Sequence, residues 1–349
     1  MESKGQTLAS RPTITDLATA AGVSVATVDR VLNGRHRVRE ETARRVYDAA
    51  NTIGYHAIGL LRQRVFQDLP QYKLGFVLQR PQQHFYQSFA QELKSACQTN
   101  VSARLIPQIA FAEMQTQSAV VETLHQTAQA NDVVAIVSPD YPGISIAVDE
   151  IKKKGTPVFS LLSDIAPGLR DGYVGLNNRK AGRTAAWMIA KGASPGKVAI
   201  FIGSHRFAGH EMREVGFRSY FRENAPGFEV LETFVNLETS EITHETTVNL
   251  LNEHPDLVGL YVAGGGMEGA ISAVREEGYG GKLQLIVNEL TPDSKTALSE
   301  DVVTMAIHTP LQALCRELVS LMISAIGKPK TPVPGQTFLP FDIYLPENI

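Results

Sequence analysis

The hydrophobic rhythm of the chain changes near residue 72. Before that point apolar residues recur at helical spacing in short stretches. Leu17, Ala18 and Ala21 share one face, then Val28, Val31 and Leu32, then Val46, Ala49, Ala50 and Ile53. This predicts three short helices, over about Thr15–Ala21, Val25–Asn33 and Glu40–Ile53. Gly22 turns the chain after the first, Ser24 suits the N-cap of the second, and Gly34 and Gly54 stop the second and third. From Tyr72 onward, short apolar runs alternate with amphipathic stretches. Strands are predicted over Lys73–Leu78, Val133–Val137, Pro157–Leu162, Lys197–Ile202, Leu257–Val262 and Leu283–Val287. Helices are predicted over Tyr86–Gln98, Ile144–Lys154, Lys180–Lys191, Glu211–Asn224 and Met267–Glu277. The expected fold class is therefore α/β: a three-helix N-terminal headpiece, then a two-lobed domain of doubly wound parallel sheets. In such sheets, ligands sit beyond the carboxyl ends of the strands.

Charge divides along the same boundary. The 349-residue chain has a net charge of −3. Residues 1–64 hold ten Lys/Arg against six Asp/Glu, a balance of +4, which leaves −7 for the remainder. A basic end on an acidic body is expected when one module meets an anionic partner. The two cysteines, Cys97 and Cys315, lie far apart in apolar contexts and suit buried thiols. No stretch is apolar and long enough to span a membrane, and the first ten residues lack the apolar run of a secretory signal, so a cytoplasmic protein is expected. The histidines show no metal-ligand spacing, and no nucleophile elbow, zinc-protease or P-loop motif occurs. No enzyme activity, cofactor or metal is expected.

Two helices joined by a glycine-containing turn form a helix-turn-helix, whose second helix enters the major groove with its N-terminus leading. Its leading residues here are Val25, Ala26, Asp29 and Arg30. Val25 and Ala26 can touch thymine methyls, Arg30 can fork onto guanine or hold a phosphate, and Asp29 can accept from a cytosine amino group or pair with Arg30. Thr15, Ser24 and Thr27 suit phosphate contacts near helix starts, and Asn33, Arg35 and Arg37 suit backbone contacts.

The segment TITDLATAAGVSVATVDRVLNGRHRVREETARRVYDAANTIGYH, residues 13–56, closely resembles the LacI-family (lactose-repressor-like) headpiece. The family pattern runs T-x-x-D-[LV]-A-x-x-A-G-V-S-x-x-T-V-S-R-V-L-N-G and is matched from Thr13 to Gly34 except at Asp29, which replaces the usual serine. Arg39 stands where a small capping residue is usual. The family's hinge, Y-x-P-N-x-x-A-R-x-L, is represented by Tyr55–Arg64 without its proline and asparagine. Leu60 or Leu61 is then the candidate minor-groove wedge. The domains expected are a headpiece over 11–56, a linker over 57–71 and an effector domain over 72–349. Within the last, lobe 1 is expected at about 72–172 plus 310–326, and lobe 2 at about 178–305 plus 335–349.

The second half resembles periplasmic sugar-binding proteins in the form fused to LacI-family headpieces. The resemblance rests on YVGLNNRKAGRTAAWMIAK (173–191), GSHRFAGHEMREVGFRSYF (203–221) and VNELTPDS (287–294). It implies ligand contacts from strand-end loops at Phe85, Tyr86, Ser163, Asp164, Arg213, Gly265, Asn288, Glu289 and His308. Three of them have a plainer alternative: Arg213 can pair with Glu211 on its own helix, Glu289 can cap the next helix, and His308 can be a loop residue. The glycine run 264–266 lacks the Gly-Lys-Ser/Thr ending of a phosphate loop and reads as a cleft wall free of side chains.

Both resemblances together imply a sequence-specific transcription regulator, a repressor, whose operator affinity is controlled by a small molecule. A homodimer presenting two headpieces to operator DNA is implied, with a dimer surface near Phe89 and Leu93 and no membrane partner. Lys and Arg do not cluster at the predicted strand ends, so a neutral sugar or polyol is expected, with a sugar acid as the runner-up. A transport binding protein would share the large domain but would have no use for residues 1–64.

Overall fold

The computed structural model describes residues 11–33, 38–65, 69–112, 116–327 and 335–349. It divides into two compact units: the chain up to Gln71 with the turn Asn100–Arg104, and the remainder.

The N-terminal unit holds four helices: α1 (Ile14–Ala21), α2 (Val25–Asn33), α3 (Glu40–Thr52) and α4 (Ile58–Val65). Thr13 and Asp16 close a reciprocal capping box on α1. The Ser24 hydroxyl accepts from the Thr27 N–H (3.2 Å), so Ser24 caps α2. Arg39 precedes α3 without a side-chain cap. Leu17, Val28, Leu32, Val46 and Ala50 interlock as the core. That core also contains Leu61, fully buried on α4, a helix within the expected linker.

The large unit alternates strands and helices: β1 (Gln71–Gln79), α5 (His84–Thr99), β2 (Arg104–Ala112), α6 (Gln117–Ala130), β3 (Val133–Ile136), α7 (Pro142–Lys153), β4 (Val158–Leu161), β5 (Gly172–Leu176), α8 (Asn178–Gly192), β6 (Lys197–Ile202), α9 (Ala208–Asn224), β7 (Glu229–Val235), α10 (Ser240–Glu253), β8 (Leu257–Val262), α11 (Met267–Glu276), β9 (Gln284–Asn288), α12 (Pro292–Ser299), β10 (Met305–His308), α13 (Leu311–Ala325), β11 (Gly335–Leu339) and β12 (Asp342–Tyr344). Two six-stranded sheets result, ordered β11-β5-β4-β3-β1-β2 and β12-β10-β9-β8-β6-β7. The pairing is parallel at β1–β3, β3–β4, β4–β5 and β5–β11, and from β7 through β6, β8 and β9 to β10; β12 runs antiparallel to β10. Central strands such as β3, β4 and β6 are buried almost throughout, which requires helices on both faces.

The chain passes between the lobes after β5, after β10 and between β11 and β12. The tail over 335–349 is therefore shared: β11 joins the first sheet and β12 the second, where the sequence reading placed the whole tail in lobe 2. β5 likewise extends lobe 1 to Leu176. Phe89 and Leu93, expected near a dimer surface, are fully buried in the lobe 1 core, because α5 packs that face under α13. Cys97 and Cys315 are buried free thiols in the same core.

Candidate functional site

In the N-terminal unit, α2 leaves Ser24, Val25, Ala26, Arg30 and Asn33 exposed, and Thr15 is exposed on α1. Asp29 is half-buried, and its carboxylate accepts from the Asn33 amide at 2.7 Å. The acid thus takes an intrahelical partner one turn on, in place of Arg30. Thr27 is half-buried with its hydroxyl 2.9 Å from that of Ser24. Leu60 is exposed while Leu61 is consumed by the core, so only Leu60 is available as a wedge. Arg35 and Arg37 lie outside the described residues.

Between the lobes of the large unit lies a cavity of about 390 Å³. Phe85 and Tyr86 from the start of α5, Ser163 after β4, Arg213 on α9, Gly265 after β8, Asn288 at the end of β9 and Glu289 after it all line it. These positions are strand ends or the helix starts that follow them, where the sheet topology opens.

Arg213 is buried and held at two points: Nε donates to Asn178 Oδ1 (2.8 Å) and Nη1 to the Ala263 carbonyl (2.7 Å). Glu211 is not its partner. Asn178 in turn donates to the Leu162 carbonyl (3.1 Å), tying the arginine to lobe 1. The close approach of α8 and α9 makes this possible. A Cβ on Gly182 would fall 1.8 Å from the Arg213 carbonyl oxygen, so a larger residue would push the helices apart. Nη2 makes no hydrogen bond among the described residues and remains as a donor at the cavity.

His210 also lines the cavity. Its Nδ1 accepts from the Gly203 N–H (3.2 Å), which leaves the proton on Nε2. Burial, reinforced by Arg213, pulls its pKa down to about 3, so the ring is neutral. A Cβ on Gly264 would meet the same ring at 2.7 Å, so the glycine wall is needed for the histidine to sit there. Asn288 is buried; its Oδ1 accepts from the Tyr261 hydroxyl (2.9 Å), while Nδ2 is a buried donor with no partner among the described residues. Burial, then Glu238, push the Tyr86 hydroxyl well above its usual pKa, so it also stays protonated. Together these groups offer several uncharged or singly charged donors, a pattern that fits a ligand rich in oxygen acceptors.

Glu289 lines the cavity, yet its carboxylate is already engaged. Oε2 accepts from the Thr309 N–H (3.0 Å), Oε1 from the Thr309 hydroxyl (2.6 Å), and His308 Nδ1 is 3.0 Å away. It ties the end of β9 to the second crossing between lobes.

Two expected residues do not reach the cavity. Asp164 is captured by Arg170 (Nη2 to Oδ2, 2.6 Å) and by Ser160 (2.7 Å). Against the cost of burial, Arg170 and Ser160 hold its pKa below the usual value, so it anchors the return of β11 instead. His308 faces a neighbouring cavity of about 410 Å³ between α5 and α13, and its partner is Glu289. Conversely, Glu238, Glu268 and His210 line the first cavity without having been anticipated. Glu238 follows an edge strand of mixed pattern, and nothing in the local sequence marks it. The tight spacing of Gly203 and Gly209 around the 203–221 block was the available signal for His210.

The lobes are bridged at the cavity mouth. Arg80 at the end of β1 donates from Nη2 to the Leu237 carbonyl (2.6 Å), and its Nε lies 3.4 Å from Glu238 Oε2. Gln83 donates to the Glu238 carbonyl (3.3 Å). On the other rim, the Gly209 N–H donates to Ser163 Oγ (3.1 Å) and the Asp140 N–H to the Arg206 carbonyl (2.7 Å).

Comparison with known proteins adds to this geometry. Residues 74–330 match the periplasmic binding protein domain, and residues 13–57 match the family described as bacterial regulatory proteins, lacI family. The chain belongs to the LacI family of regulators built on a periplasmic-binding-protein domain. This LacI-family protein is 26% identical to the sucrose operon repressor of Streptococcus mutans serotype c over 243 residues, covering 70% of this chain and 71% of that one. It is 24% identical to the transcriptional regulator GalR of Salmonella typhimurium over 339 residues, 94% and 93% of the two chains. Among solved structures it resembles an ABC-transporter periplasmic solute-binding protein from Actinobacillus succinogenes with bound D-allose. There the TM-score is 0.71 at 20% identity, over 80% of this chain and 98% of that one. It also resembles GanP, a glucose-galactose binding protein from Geobacillus stearothermophilus, with a TM-score of 0.71 at 20% identity over 80% and 99%. The structural likenesses establish the fold of the large unit. The proteins matched are regulators and binding proteins, and no helix among the described residues is long and apolar enough to cross a membrane.

Proposed function

We propose that this LacI-family regulator is a cytoplasmic repressor that binds operator DNA as a homodimer and whose affinity is set by a sugar or polyol held between its lobes. The observation that carries the effector reading is the unpartnered, buried Asn288 Nδ2 beside Arg213 and neutral His210 in the interlobe cavity. Buried donors without partners are costly unless a ligand supplies acceptors. A hydroxyl-rich ring supplies them, and Phe85 offers an apolar face. Headpiece recognition rests on α2, which presents Val25, Ala26 and Arg30 to solvent.

Effector and operator would be linked through lobe orientation, and the coupling can be no larger than the effector's differential affinity for the two states. Selection of bound duplexes from a random pool tests the DNA half of this reading. The full chain should enrich a two-fold symmetric site. Arg30→Ala should weaken binding to it by about 1–3 kcal/mol and relax one base pair per half-site. Enrichment of no site, or equal loss on every sequence, would reject base readout by Arg30.

A further inference from the structure

The carboxylates of the effector cavity are not balanced by cations. Glu238, Glu268, Glu289 and Asp293 all line it. Two are answered: Glu238 by Arg80 at 3.4 Å, and Glu289 by His308 at 3.0 Å. Glu268 and Asp293 have no ion-pair partner among the described residues. The one side-chain hydrogen bond of Glu268 comes from the Ser240 hydroxyl at 3.5 Å, a long contact. Burial, and Asp293 beside it, push the Glu268 pKa up, which marks a carboxylate short of positive charge.

Both acids sit in the first turn of a helix, Glu268 on α11 and Asp293 on α12. The helix dipole favours an acid there, which accounts for each acid singly. It does not account for two of them turned to one cavity in which Arg213 is the sole Lys or Arg among the described lining residues. Elsewhere in the same cavity donors are offered by Arg213, by the Nε2–H of His210, 3.7 Å from Glu238 Oε1, and by Asn288 Nδ2, buried and without a partner among the described residues. The lining therefore asks for two things from one ligand: oxygen acceptors for the donors, and positive charge for the acids. A neutral hydroxyl ligand would cover the acids without neutralising them, and an anionic one would be repelled.

We propose that the effector is an amine-bearing sugar or polyol, with its ammonium against Glu268 and Asp293 and its hydroxyls on Arg213, His210 and Asn288. This rests on the reading of the cavity as the effector site. It narrows the effector from neutral polyols in general to those carrying a basic amine.

The test uses the full chain near neutral pH and matched sugars that differ at one group: glucosamine, glucose and N-acetylglucosamine, with the galactose and mannose series alongside. Thermal shift finds the best ring and calorimetry measures it. The amine form is expected to bind at least tenfold more tightly than its hydroxyl and N-acetyl counterparts. Glu268→Gln should remove most of that preference. Asp293→Asn should reduce it as well, and because Asp293 is exposed, this change leaves the core untouched. Hydroxyl or N-acetyl forms that bind as tightly as the amine would overturn the proposal and leave the sugar-effector reading standing. Binding by no member of any series would overturn both.

Discussion

Cutting the clasp at the cavity mouth should weaken effector binding without removing any group that lines the cavity. Arg80 does not line it, but it reaches across to the β7–α10 loop, where Glu238 does. Arg80, Leu237 and Glu238 all hold left-handed backbone, with φ of +38°, +51° and +55°. Such conformations cost residues other than glycine of order 1–3 kcal/mol each, and they persist only where surrounding contacts impose them. Arg80→Ala deletes a charge-assisted hydrogen bond to the Leu237 carbonyl, about 1.5–3 kcal/mol. It also deletes a partly exposed ion pair with Glu238, about 0–1 kcal/mol after solvent screening. The bridged arrangement should lose roughly 1.5–4 kcal/mol, partly offset by release of the strained loop. At about 1.4 kcal/mol per tenfold, effector affinity should fall by roughly 10- to 700-fold before that offset if effector binds the bridged form. Calorimetric titration of the full-length variant with the best sugar from the panel reads this directly. A variant that binds effector as tightly as the parent would refute the clasp as part of the closed, liganded arrangement.

Two further outcomes follow from the packing and the titrating groups. Leu61→Ala should destabilise the N-terminal unit by about 2–5 kcal/mol, as for other buried leucines, whereas Leu60→Ala should leave its stability nearly unchanged and affect operator binding alone; equal melting of the two variants would remove Leu61 from the core. Burial pulls the His308 pKa down, but Glu289 and Asp342 outweigh it and hold it above the ordinary value. The stability from this contact is full below the unfolded pKa of about 6.5 and is lost as pH rises through the folded value, so thermal stability should fall across that window and His308→Gln should flatten the profile; identical profiles would dismiss the pair.

The headpiece was largely legible in the sequence. Its three expected helices end within one residue of those observed, because capping residues and apolar spacing are local signals. α4 was not legible as a helix, since the burial of Leu61 depends on packing against the other helices. In the large unit the predicted strands are the central, continuously apolar ones. β2 and β7 lie at sheet edges with half-buried, mixed patterns, β5 carries two glycines in five residues, and the apolar run of β10 stops after three residues at His308. None of these offers the unbroken apolar run that marks a core strand. The tail was misassigned because which sheet β11 joins is decided by where the chain crosses, which no residue within it encodes. At the cavity, the strand-end residues fell where block resemblance put them. Asp164 and His308 did not, because Arg170, six residues on, reaches the one and Glu289 the other, and such competition exists only in three dimensions.

Filling the interlobe cavity should change the grip of the headpiece on operator DNA. Fluorescence anisotropy of a labelled, selected operator, titrated with the full chain at fixed salt with and without saturating effector, tests it most directly. The coupling of such sites is typically about 1–3 kcal/mol, so operator affinity should change by roughly 5- to 150-fold, with half the change at the effector concentration that half-fills the cavity by calorimetry. An operator affinity that stays constant while calorimetry shows the cavity filled would contradict the account.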